Sequence, residues 1–442
     1  MDEIKQIDKQ IDKQTDKQTD KQTDKQTDKQ SNLTFIDLFA GIGGFHQSLS
    51  KFGFKCVFAS EINKYCRNVY TKNYNIEPNG DIKTIEVQSI PNFDILCGGF
   101  PCQPFSKAGN QNGFKDTRGN LFFNICNIIE YHKPKYVILE NVRNLSSHDN
   151  GNTWKIIREK INELGYNTYD KPIILNSLYF GIPQSRERVV ILCKRKDLGK
   201  LEDFPKLPTI KKITKLSNII ENNVDVKYNI SPKLKQTETV WNNFIQILYD
   251  NKIEIPKFPI WTDWWDSDGN NTTVTKKDNN KTDDVNKKNI INKQRDFYKK
   301  YTNWIDKNRT FYTTHFNILN LWLTQSRTNF PLWKGAVRKL EWQAGDKLLN
   351  MNEVLWSPRG SGVRIKKLDY SPTLVAMASM IPIYGPQSRH LTPRECARLQ
   401  SFPDNFITDI NDKEAYKQFG NAVNVKMIEK CVGFLIYNTS VF

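Results

Sequence analysis

No stretch of this sequence approaches the roughly 18–20 consecutive apolar residues that a membrane-spanning helix needs. The first thirty residues are charged and polar, without the apolar centre of a secretory leader, so the expectation is an intracellular protein. Paired cysteine motifs are missing too. Cys56, Cys66, Cys97, Cys102, Cys126, Cys193, Cys396 and Cys431 form no C-x-x-C pair and have no histidine at zinc spacing. Reduced thiols and no metal are therefore expected. Negative charge is also in short supply, 48 acidic residues against 65 basic ones and a net charge of +17. The surplus is not in the first thirty residues, where Lys is balanced by Asp and Glu, but largely in 194–358. A local surplus of that kind fits a polyanionic partner, because Lys and Arg release counterions from phosphate backbones.

Residues 12–30 repeat Asp-Lys-Gln-Thr with no apolar side chain, so this tail cannot bury a core and is expected to be disordered. From Leu33 the pattern changes. An apolar run ending at Phe39 meets the turn Ala40-Gly41-Ile42-Gly43-Gly44 and then a helical stretch. Strand signals at 55–60, 93–97, 136–139 and 189–193 alternate with helical signals at 63–73, 121–131 and 154–164. That alternation predicts an α/β fold with a doubly wound, mostly parallel sheet. Beyond about Arg195 the rhythm is lost, and 196–358 holds all but one of the tryptophans and a polar stretch at 266–293. A second, smaller domain with an inserted loop is expected there. From Arg389 helical character returns.

Three constellations carry chemistry. The glycine turn between strand and helix, followed by Glu61 and then Asp81, suits an adenosine-containing cofactor: backbone N–H groups face the ligand and a carboxylate about 20 residues on holds ribose hydroxyls. These residues alone leave a nicotinamide dinucleotide and S-adenosylmethionine both open. Next, Gly98-Gly99-Phe100-Pro101-Cys102-Gln103-Pro104 follows a strand, and its glycines and prolines fix Cys102 in a set direction, as a nucleophile requires. Cys97, inside the apolar run, fits a buried inert thiol. Finally, the strand Tyr136–Leu139 runs into Glu140-Asn141-Val142, where a carboxyl in an apolar pocket can hold and donate a proton.

Taken together, these segments resemble the C5-cytosine DNA methyltransferase family. Phe35 to Phe45 is similar to its opening motif, Pro101-Cys102-Gln103 to its nucleophile motif and Glu140-Asn141-Val142 to its acid motif. Gln184-Ser185-Arg186-Glu187-Arg188 resembles its arginine motif, and Arg389–Pro403 with Gln418–Val423 its two C-terminal motifs. All six stand in the family's order.

The resemblance implies that Cys102, Glu140, Arg186 and Arg188 are catalytic. It implies S-adenosylmethionine as cofactor, held by Phe39, Ala40, Gly41, Gly43, Gly44, Glu61, Ile62, Asp81, Ile82, Pro101, Leu121, Asn421 and Val423. Phe100, Pro101, Gln103 and Ser106 would line the pocket for a flipped cytosine, and Gln103 to Asn120 would be a closing lid. By the same resemblance the domains are a tail (1–31), a catalytic domain (32–195), a target-recognition domain (196–405) and a returning C-terminal segment (406–442). Arg359, Arg364, Lys366 and Lys367 are the DNA-contact candidates. The expected partner is double-stranded DNA, with a restriction endonuclease acting separately and a monomeric enzyme working inside the cell. An RNA methyltransferase, a catalytically inert DNA-binding module and a nicotinamide oxidoreductase are the rival readings. Intact Cys102, Glu140 and Arg188 speak against the second, and the later motifs leave the third little room.

Overall fold

The computed structural model describes residues 32–101, 121–208, 215–265 and 302–442. The repeat tail, Cys102, Gln103, Ser106, the expected lid and the polar stretch at 266–293 lie outside the described residues. The chain divides into two compact units, one running to Thr214 and resuming at Cys396–Phe442, the other Lys215–Glu395.

The first unit is built on a seven-stranded sheet. Its elements are β1 (Thr34–Leu38), α1 (Gly44–Ser50), β2 (Lys55–Ser60), α2 (Lys64–Tyr74), β3 (Ile95–Gly99), α3 (Leu121–His132), β4 (Tyr136–Val142), α4 (Asn152–Glu163), β5 (Tyr166–Asn167), β6 (Ile173–Asn176) and β7 (Glu187–Arg195). The strand order is β2-β1-β3-β4-β7-β5, with β6 also pairing β7. β2, β1, β3 and β4 run parallel, and β7 is antiparallel to β4, β5 and β6. This is the α/β architecture expected from the alternating signals.

Central strands with both faces covered must be apolar on both faces. β1 meets this: Phe35 joins one core cluster with α1 and the C-terminal helix Val425–Tyr437, while Ile36 and Leu38 join the other with α3 and α4. Local caps set the helix ends. The Asn63 side chain accepts from the Tyr65 and Cys66 N–H groups at the start of α2, and Asn424 accepts from Met427 N–H at the start of the C-terminal helix. Ser48 Oγ of α1 donates to the Val425 carbonyl at 2.8 Å, tying that helix to the glycine-turn helix.

Loss of strand and helix rhythm puts a boundary at 195/196, yet packing carries the first unit further. Leu198, Leu201 and Phe204 lie against its core, and Phe204 meets Phe434 with ring centroids 5.4 Å apart. At the other end, buried Leu399, Phe402 and Phe406 bring the unit's start forward from 406 to 396. Irregular backbone hides periodicity without preventing burial, which is why the sequence pattern misses both edges.

The second unit has a six-stranded sheet in the order Arg389–His390, Ile383–Tyr384, Leu355–Arg359, Gly362–Lys366, Lys339–Gln343, Ile260–Trp261. Only Lys339–Gln343 and Gly362–Lys366 pair in parallel. Against it packs an aromatic core with Trp241, Trp265, Trp322, Trp333, Trp342 and Trp356. Trp241 and Trp333 both donate to the Val337 carbonyl, at 2.9 and 3.1 Å, so these two indole N–H groups are satisfied inside. Core packing is thus the role of most of these tryptophans. Near the end of the unit, Arg389 grips Glu395 with two bonds of 2.9 and 2.7 Å, both side chains essentially buried. Glu395 also accepts from the N–H groups of Thr392 and Glu221, at 2.8 Å each, and Thr392 Oγ1 accepts from Glu395 N–H in a capping box.

Candidate active site

Along β1 the chain runs extended to Leu38 and then turns through left-handed residues, Phe39 (φ 55°), Gly41 (φ 55°) and Gly43 (φ 85°). A side chain at Gly44 would place its Cβ 2.6 Å from the Val423 carbonyl oxygen, so glycine is required for the C-terminal segment to lie on the turn. Glu61, just past β2, accepts from Gly41 N–H at 2.8 Å through one oxygen and from Asn63 N–H at 2.7 Å through the other. Each carboxylate oxygen keeps a further lone pair for a ligand hydroxyl.

This turn forms one side of a cavity of about 390 Å³. Its lining brings together sequence-predicted residues from distant parts of the chain: Phe39, Ala40, Gly41, Gly44, Glu61 and Ile62 from the turn and β2, Phe100 and Pro101 after β3, Glu140 from β4, Arg186 and Arg188, and Asn421 with Val423. Ile62 is two-thirds exposed at its edge. Gly43, Asp81, Ile82 and Leu121 are not in the lining. Asp81, unlike Glu61, does not stand at the end of a strand. It caps a short 3-10 turn after α2, accepting from Lys83 N–H at 3.1 Å.

Glu140 is the buried carboxyl at the end of β4. Arg188 Nε lies 2.9 Å from its Oε1. Burial raises the Glu140 carboxyl above the usual carboxylate range, against the downward pull of the Arg188 and Arg186 charges. Arg186 is fully buried, and burial, with the Arg188 charge, brings its guanidinium down to about 9, so it stays charged at neutral pH. Its Nη1 and Nη2 donate to the carbonyls of Gly420 and Ala422, at 3.2 and 2.9 Å. Arg186 is therefore a strut for the C-terminal turn that carries Asn421.

Sequence reasoning passed over Asn141 and Cys66. Asn141 Nδ2 donates to the Phe100 carbonyl at 2.8 Å, fixing the segment that leads into Cys102. The only sequence signal was its place beside Glu140. Cys66 lines the cavity, but burial, aided by the charges of Glu61, Glu414 and Asp409, pushes its thiol up to about 12, which disqualifies it as a nucleophile. Cys97 is buried and inert, as its position in an apolar run suggested.

In the second unit, the Arg364 guanidinium lies against Glu341 Oε2, with Nε and Nη2 both at 2.9 Å. Arg359 and Lys366 are partly buried in the same cluster, and Lys367 is exposed. No group of three or more potential metal ligands occurs among the described residues, and no described helix is long and apolar enough to cross a membrane.

The model of the C-5 cytosine-specific DNA methylase family matches residues 33–436. The chain is 32% identical over 409 residues to the Type II methyltransferase M.HhaI of Haemophilus parahaemolyticus, covering 92% of this chain and 94% of that protein. It is 34% identical over 450 residues to M.BanI of Aneurinibacillus aneurinilyticus, covering 92% and 96%. With M.HaeII of Haemophilus aegyptius identity rises to 51%, but over 204 residues, 46% of this chain. Among solved structures, a DNA modification methyltransferase encoded within an E. coli prophage superposes with a TM-score of 0.52 at 20% identity, covering 92% of this chain and 99% of that one. S. pombe Dnmt2 gives a TM-score of 0.50 at 16%, covering 92% and 99%. Those structures share the fold. The family model spans most of the chain and these relatives match it over nearly their whole length, so the chain belongs to the C-5 cytosine-specific DNA methylase family as a DNA (cytosine-5-)-methyltransferase.

Proposed function

We propose that this enzyme moves a methyl group from S-adenosylmethionine to carbon 5 of a cytosine in a specific double-stranded DNA sequence, through base flipping and a covalent bond between Cys102 and C6. The observation that carries the reading is a buried acid, Glu140, paired with Arg188 in the same cavity as the glycine turn and Glu61. The lining suits the cofactor: turn backbone, the Glu61 carboxylate and Asn421 for polar groups, Ile62 and Val423 for a ring. When bound, S-adenosylmethionine supplies an electrophilic methyl group on a sulfonium.

The chain's own residues do the rest. The Cys102 thiolate adds to C6, forming a carbon–sulfur bond and turning C5 into an enamine carbon. Burial raises the Glu140 carboxyl above the usual carboxylate range, which favours its role as the proton donor to N3 as charge gathers there. Arg188 orients Glu140 and holds the base, and Arg186 keeps the Gly420–Ala422 turn in place. After C5 is methylated, its proton passes to water, the N3 proton returns to Glu140 and the Cys102 thiolate leaves, which restores the aromatic ring. A base inside a stacked duplex cannot reach such a pocket, so it must flip out, with Phe100, Pro101, Gln103 and Ser106 lining its seat.

The unit 215–395 is the target-recognition domain in this reading. Arg359, Lys366 and Lys367 contact DNA there, Arg at base edges and Lys at phosphate, as does Arg364, whose guanidinium Glu341 holds in place. The likeness to Type II methyltransferases supports a restriction-modification role, and in this reading the enzyme works inside the cell as a monomer, beside a separately acting endonuclease.

The test is a duplex carrying 5-fluorocytosine at the preferred site, incubated with enzyme and S-adenosylmethionine. Fluorine cannot leave as a proton does, so a stable protein–DNA adduct is expected with wild type and none with Cys102→Ser. Absence of a wild-type adduct would overturn the covalent step. Methyl transfer to tRNA in preference to duplex DNA would overturn the substrate.

A further inference from the structure

We infer that Tyr74 is a positioning residue that sets cofactor affinity by holding the glycine turn from behind. Helix α2 clamps this turn from both of its ends. Before its first turn, Glu61 takes the Gly41 N–H at 2.8 Å and also accepts from Asn63, the α2 cap. At its last residue, the Tyr74 hydroxyl lies within donating distance of two turn carbonyls, Ile42 at 3.2 Å and Gly43 at 3.0 Å. One proton is shared between them.

The Tyr74 ring fills the space beside Gly43, where any Cβ would collide with it. The ring is itself held in register. It stacks on His46 of α1 at 3.8 Å with an interplanar angle of 12°, and meets Tyr70 edge-on at 4.6 Å. His46 Nδ1 is bonded to the Tyr70 hydroxyl at 2.8 Å. Neither Tyr74 nor Gly43 lines the cavity, whereas Gly41 and Ile42 do. Tyr74 therefore reaches the cavity through the backbone it holds. A turn with three left-handed residues has alternative shapes, and a bond to its carbonyls selects one before the ligand arrives.

The inference rests on the proposed cofactor site, and the experiment separates the two. Titrating S-adenosylmethionine and S-adenosylhomocysteine calorimetrically, without DNA, compares wild type with Tyr74→Phe, which removes only the hydroxyl. A single hydrogen bond predicts Kd weakened about threefold to tenfold for both ligands. KM for the donor should rise in step, while kcat at saturating donor and the KM for DNA stay within about twofold. His46→Phe keeps the aromatic stack and serves as the structural control, lowering Tm while leaving Kd close to wild type. Equal Kd values for wild type and Tyr74→Phe, or a fall in Tm alone, would overturn the inference and leave the site intact. If wild type bound neither ligand, the cofactor site itself would fall, and the inference with it.

Discussion

The two units use buried charge in opposite ways. In the first, Glu140 and Arg186 are buried and Arg188 partly buried at a cavity, and burial shifts Glu140 upward and Arg186 downward. All three line that cavity, where a substrate can reach them. In the second, Arg389 and Glu395 satisfy one another with two bonds, and further backbone N–H groups complete the carboxylate. That cluster has no capacity to spare and holds chain to chain. Buried charge is therefore not itself a sign of catalysis. A cavity beside a shifted group is the better sign.

The contrast can be broken by exchanging the expected losses. Glu140→Gln keeps the shape and removes the proton donor, so kcat should fall about 10²–10⁴-fold, read by methyl transfer at saturating DNA. Retained activity would make Glu140 a structural acid like Glu395. Glu395→Ala strands Arg389 and should cost about 3–5 kcal/mol in denaturant unfolding, with cofactor Kd unchanged. Loss of cofactor binding with normal stability would reverse the assignment.

A third test uses acid. Burial holds His46 down to about 4, whereas the unfolded chain protonates it near 6.5. Its folded form excludes a proton that the unfolded form accepts, so stability is present above pH 6.5 and is lost as pH falls toward 4. The loss is on the order of 3 kcal/mol. Urea midpoints across that range should drop more steeply for wild type than for His46→Phe; parallel curves would remove His46 from the account. At the small end, Asp170 pairs with Arg158 at 2.9 Å but is 93% exposed, so Asp170→Asn should shift thermal unfolding by less than about 1 kcal/mol. A larger shift would mean that surface pairs matter here as buried ones do.

Much of the first unit was legible because its signals are local. β1, the glycine turn, α2 and β4 each announce themselves by alternation, caps or apolar runs. Glu61 and Glu140 stand at strand ends, where sheet topology gathers them. Asp81 had a local signal, following Glu61 after the glycine turn, and Leu121 came from the family resemblance alone, yet the fold places neither in the cavity lining. The second unit was hardly legible, since short strands such as Ile260–Trp261 and Ile383–Tyr384 are too brief to show a period and pair with strands far along the chain.

By itself the sequence determined the alternating α/β framework, the required glycines and the kinds of reactive groups available, because these depend on near neighbours. Only the tertiary structure decided that Arg186 braces Gly420 and Ala422, that Cys66 is silenced while facing the cavity, and that Tyr74 backs the glycine turn. A hydrogen-bond partner or a desolvated thiol is a property of what surrounds an atom, and here the surroundings come from chain up to hundreds of residues away.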